Sequence, residues 1–155
     1  MKKVVLLGLF VFLATSVWSQ DLKAIVYRAF MYLGSPVPEA AAIEGNIGRI
    51  VDNEYGDYKE SWAFELDANK KVKSAHYYIY DSNRNNLSRI LSDIDLQIII
   101  NGYKFFQADG QMKVYVTNDG PFSIVIAIAN SVMTAPDGKT WLQISFARLS
   151  DMIRK

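Results

Sequence analysis

The chain has 155 residues, no cysteine, one histidine, and 17 lysines and arginines against 16 aspartates and glutamates. Without cysteine there is no disulfide staple, no thiolate nucleophile and no cysteine-built metal site, and a lone histidine cannot furnish a zinc ligand set. The near-balanced charge leaves no polycationic footprint for nucleic acid or an anionic bilayer.

Lys2 and Lys3 open the chain, an uncharged apolar run extends from Val4 to about Ala14, and Val17 and Ser19 follow as small residues. A basic end, an apolar stretch and small residues at a cleavage point form the pattern of a secretory signal peptide. The apolar run falls short of the roughly 20 residues that a bilayer-spanning helix needs. Residues 1–19 are therefore expected to be a cleavable signal peptide, and residues 20–155 a single α+β domain, periplasmic or secreted, with no integral membrane segment. Removing Lys2 and Lys3 changes the charge balance from 17 against 16 to 15 against 16. About 136 residues then remain, enough to bury roughly two-thirds of the unfolded surface without a staple.

In chain order, Leu22, Ile25, Val26, Ala29, Phe30 and Leu33 recur at helical spacing, with Asp21 as N-cap and Gly34 as stop. Ser35–Pro38 breaks regularity, because each proline restricts its predecessor and lacks a donor. Glu39–Glu44 is expected to form a short second helix ended by Gly45. Three strands are expected next, over 49–53, 61–67 and 73–81. In the second, Trp62, Phe64 and Leu66 alternate with Ala63 and Glu65; in the third, Ala75, Tyr77 and Ile79 alternate with His76, Tyr78 and Tyr80.

Leu33, Gly34, Ser35 and Pro36 after a helix, with Trp62 opening a strand, resemble small periplasmic helix-plus-three-strand modules of the outer-membrane assembly lipoprotein type. The match is confined to these residues, and the lipoprotein cysteine is missing. The resemblance implies a protein-binding role in the envelope.

Leu87, Ile90, Leu91, Ile94 and Ile98 again fall at helical spacing. Residues 95–106 admit two readings: a helix carried to about Asn101 with Gly102 as its cap, or a hairpin pairing 96–100 with 103–106 around Asn101-Gly102. Three turns of unbroken phase favour the helix. The remainder reads as three strands, 113–118, 122–130 and 140–148, the middle one central, followed by a helical turn over 150–155. The expected order is α-βββ-α-βββ: antiparallel sheet or sheets with the helices on one side.

His76, Tyr78 and Tyr80 are the candidate binding residues, since rings on a sheet face can stack on sugars or on a partner's side chains. Glu65, Asp67 and Asp81 are the carboxylates that a glycan hydrolase would have to use. Asp52–Asp57 groups oxygen donors but fails the calcium-loop pattern, because its glycine and glutamate positions are wrong. No metal or cofactor is expected. The expected role is a non-enzymatic binding or adaptor domain, with another envelope or extracellular protein, or a glycan, as partner. A carboxylate-dependent hydrolase and a structural subunit of a surface assembly are the alternatives.

Overall fold

A computed structural model describes residues 21–117 and 123–153. The expected leader, residues 118–122 and the last two residues lie outside the described part.

Helix α1 (Leu22–Tyr32) is followed by β1 (Ala42–Glu44), β2 (Ile47–Tyr55), β3 (Tyr58–Leu66) and β4 (Val72–Tyr80). Then come α2 (Arg84–Ile100), β5 (Lys104–Ala108), β6 (Met112–Val116), β7 (Ile124–Ala129), β8 (Met133–Thr134), β9 (Thr140–Arg148) and α3 (Leu149–Ile153). The strands form one antiparallel sheet in the order β1-β2-β3-β4-β9-β7-β6-β5, with β8 pairing β9. This is the α+β fold expected, with the helices on one side. Each half of the anticipated α-βββ-α-βββ order carries extra short strands.

Alternation divides the sheet into two faces. Trp62 and Phe64 on β3, Tyr77 and Ile79 on β4, Ile126 on β7, and Leu142, Ile144 and Phe146 on β9 are buried on one side. They form one continuous core with Leu22, Ile25 and Ala29 of α1 and Leu87, Ile90, Ile94 and Ile98 of α2. Strand β7 lies between β6 and β9, the interior place its apolar run implied.

The helix termini follow their sequence signals. Asp21 Oδ1 accepts from the Lys23 N–H at 2.9 Å, and the Asn83 side chain caps α2 through the Asn85 N–H at 3.0 Å. At its end, α2 closes in a Schellman arrangement: Tyr103 N–H donates to the Ile98 carbonyl and Gly102 N–H to that of Ile99. Gly102 holds a φ of +67° there. The helix reading of residues 95–101 therefore holds; 104–106 contribute to β5, which pairs with β6. Gly34, at φ +77°, lets the Arg148 guanidinium come close enough to donate to the Leu33 carbonyl at 2.5 Å; a Cβ on Gly34 would lie 2.6 Å from that guanidinium.

One expectation is corrected. Glu39–Glu44 is not a helix: Ala41 N–H closes a turn onto the Pro38 carbonyl, and Ala42–Glu44 is strand β1, paired to β2. The two-residue link Gly45-Asn46, with Gly45 at φ +62°, makes a tight hairpin whose register outweighs the helix propensity of the alanines. Strand β2 also runs further than expected, because a bulge between Val51 and Asn53 lets the polar 52–55 stretch stay paired with β3. Asp52–Asp57 is thus the end of β2 and its Gly56-Asp57 turn. No helix among the described residues is long and apolar enough to cross a membrane.

Candidate functional site

The helix-free face of the sheet is where β4 sets the residues singled out from sequence. The register aligns them in rows across β3, β4 and β9: Lys59, Tyr80 and Trp141; Ser61, Tyr78 and Gln143; Ala63, His76 and Ser145; Glu65, Ser74 and Ala147. His76, Tyr78 and Tyr80 share this face and are each half-buried, while Tyr77 points into the core. The Tyr78 and Tyr80 rings lie 6.0 Å apart and 21° from parallel. Arg49 of β2, beside Ala63, carries its charge close enough to both tyrosines to oppose the rise that burial imposes on their hydroxyl pKa values.

Arg49, Tyr78 and Tyr80 line a broad open groove of about 1090 Å³ together with Lys59, Trp141 and the turn around Gly138; His76 lies outside it. The groove offers stacked aromatic rings, an amide and a cation on rigid strands. Such a set suits recognition of a ligand laid across the sheet.

Beside the groove runs a directed chain of hydrogen bonds. Gln143 Nε2 donates to Ser145 Oγ at 2.9 Å, and Ser145 Oγ lies 2.8 Å from His76 Nδ1. Ser74 Oγ is 3.2 Å from His76 Nε2 and donates to Glu65 Oε2 at 2.8 Å. Because Ser74 donates its proton to Glu65, its oxygen accepts from Nε2–H; Nδ1 of the neutral ring is then an acceptor and takes the Ser145 proton, while Ser145 still accepts from Gln143. One neutral tautomer of His76 satisfies every link. Burial lowers the His76 pKa, with Glu65, 3.7 Å away, pulling the other way.

That shift fixes a pH dependence. The unfolded chain takes up the proton near the ordinary value of 6.5, before the folded chain does. Stability from neutral His76 is therefore complete above that value and is lost as pH falls toward the lower, folded-state pKa. Thermal melts are expected to give a lower Tm at pH 5 than at pH 7.5. The gap should narrow in His76→Gln, and an identical gap in the variant would remove His76 as its source.

Ser145, His76 and Glu65 have the residue types of a hydrolytic triad, but the setting differs. Ser145 faces Nδ1, and β9 is paired on both sides, to β4 and β7, so its backbone N–H groups serve the ladders. An oxyanion site needs N–H donors that converge on a reacting oxygen. The other candidate acids are engaged in local turns. Asp67 Oδ1 accepts from the N–H groups of Asn69 and Lys71, organising its turn. Asp81 accepts from Asn83 N–H and Asn86 Nδ2 at the start of α2. Glu65 is level with Ser74, and Asp81 lies seven residues further along, about 23 Å at strand rise. Paired glycosidase carboxylates stand within about 10 Å.

Trp141, Gln143, Ser145, Ser74 and Arg49 complete this face and were not singled out from sequence. The alternation of Trp141, Gln143 and Ser145 with Leu142, Ile144 and Phe146 was a signal for the first three. Among the described residues, no group of three or more histidines and acids is arranged to hold a metal. Comparison with protein-family models, with curated proteins and with solved structures found no match to this chain.

Proposed function

We propose that the protein is an exported, non-enzymatic binding or adaptor domain that holds another envelope or extracellular protein on the helix-free face of its sheet. The observation carrying this reading is the row of half-buried rings, Tyr78 and Tyr80 on β4 beside Trp141 on β9, bordering an open groove. Aromatic residues held by a rigid scaffold lose little side-chain freedom on binding, which is why they dominate interface energetics. Export follows from the leader pattern of residues 1–19. The polar chain through His76 lies beside the groove and ties β4 to β9, leaving the rings to make contact.

The test compares the wild-type chain with Tyr78→Ala/Tyr80→Ala as immobilised bait against the envelope and extracellular fractions. A protein retained by the wild type is then purified and titrated against both. Loss of two central anchors is expected to weaken binding by at least about 30-fold, at about 2 kcal/mol or more for an interface hot spot. Equal affinity for both chains, with the variant's melting curve intact, would place the contact elsewhere.

A further inference from the structure

A second surface lies at the far edge of the sheet. Strand β5 is the terminal strand beyond β6, and all five of its residues are exposed. Phe105 and Phe106 are each 61% exposed, and in the last two turns of α2, three residues away, Leu96, Ile99 and Ile100 are more than half exposed. Phe105 is opposite Tyr115, itself opposite the core residue Ile126, so Phe105 lies on the side of the sheet that carries α2. Together the five side chains expose on the order of 600 Å² of largely apolar surface.

We propose that this edge is a homodimer interface, in which β5 and the end of α2 pack against the same elements of a second copy related by a two-fold axis through Phe106. Complete burial of both sets of side chains would remove about 1,200 Å², the lower bound of a specific, stable interface. The charges at the ends of β5 complement one another under that symmetry. Antiparallel side-by-side alignment of the two β5 strands about Phe106, with contact through side chains and no shared ladder, sets Lys104 level with Ala108 of the second copy and beside its Asp109. Asp109 is fully exposed, and the Gln111 and Met112 N–H groups that donate to it at 2.8 Å each hold it ionised. A strand whose basic and acidic ends match in reverse is complementary to itself, and an isologous contact requires that of any surface.

The edge is also built against open-ended growth. A bulge between Phe105 and Gln107 leaves Phe106 outside the β6 register. Bulges and an edge lysine are devices that prevent endless strand addition. The contact therefore rests on side chains and closes at two copies.

The cysteine-free chain gives a clean test. Phe106→Cys puts a single thiol on the two-fold axis, and Ile43→Cys puts one on β1, at the opposite edge of the sheet. Under mild oxidation Phe106→Cys is expected to convert to a species of twice the mass that reductant reverses, while Ile43→Cys stays at monomer mass. In sedimentation velocity, the wild type is expected to show a monomer–dimer equilibrium that shifts with concentration, and Phe106→Asp to stay monomeric with an unchanged circular dichroism spectrum. A wild type that stays monomeric up to about 0.5 mM, which leaves any dimer with a Kd of roughly a millimolar or weaker, would overturn the proposal. Equal dimerisation of Phe106→Asp, or equal cross-linking of Ile43→Cys, would overturn it too.

Discussion

Trp62→Ala is expected to cost about 3–5 kcal/mol of folding stability, the range for deleting a buried Trp or Phe side chain. Trp62 is the largest fully buried side chain and the hub of the aromatic core. Its ring lies 4.8 Å from Tyr77, 5.3 Å from Tyr32, 5.9 Å from Phe146 and 6.2 Å from Phe64, so β3, β4, β9 and α1 all lose a contact at once. Arg28, held to Asp52 in a two-pronged ion pair, has its guanidinium 5.4 Å from the same ring and would lose that cation–π contact. The surrounding strands are hydrogen-bonded on both sides and cannot collapse into the space.

A companion change separates volume from polarity. Trp62 Nε1 has no hydrogen-bond partner, so Trp62→Phe removes a buried unsatisfied donor together with part of the ring. It should cost less than half of what Trp62→Ala costs. Urea denaturation followed by circular dichroism measures both. A loss below about 1 kcal/mol for Trp62→Ala, the mean for an arbitrary substitution, would contradict this account of the core.

Below Trp62 sits a carboxylate that no sequence pattern announces. Glu60 is 1% exposed and accepts a hydrogen bond from the Tyr58 hydroxyl. Burial first, and then Glu60, by its hydrogen bond at Tyr58 and by its charge at Tyr77, push both hydroxyls far above their ordinary pKa. The expected strand began at Ser61 and left Glu60 out; β3 starts at Tyr58, so Glu60 shares the buried face with Trp62. An isolated glutamate between Lys59 and Ser61 nevertheless reads as solvent-facing, because Tyr77, the second tyrosine near its charge, comes from the neighbouring strand β4.

The same distinction between local and non-local information explains what else was legible. Strands β3 and β4 could be read because each has one buried and one partly open face, which imposes period two on the residues themselves. Their separation of Tyr77 from His76, Tyr78 and Tyr80 is the one observed. Strand β1 could not be read, because its three exposed residues carry no periodicity and owe their conformation to pairing with β2. The site was legible only by halves. His76 and Ser145 are 69 residues apart and meet because β9 returns between β4 and β7, a choice made by the whole sheet. Trp141 and Gln143 join the tyrosines for the same reason.

The run Ile98, Ile99, Ile100 offers the sharpest test of how α2 is placed, because in the sequence the three residues are indistinguishable. As a β-strand, Ile98 and Ile100 would share a face; as a helix, successive residues point 100° apart and only one can continue the stripe of Leu87, Ile90 and Ile94. In the structure Ile98 is 3% exposed, Ile99 75% and Ile100 71%. Ile98→Ala is therefore expected to cost about 2–5 kcal/mol, the range for emptying a buried isoleucine site. Ile100→Ala, on the solvent side, should change stability by no more than about 0.5 kcal/mol, with the better helix propensity of alanine offsetting lost contacts. Denaturation of dilute protein, where self-association makes no contribution, measures the pair. Equal losses at Ile98 and Ile100 would be the mark of a strand, and would displace the helix whose Schellman cap at Gly102 delivers the chain to the β5 edge.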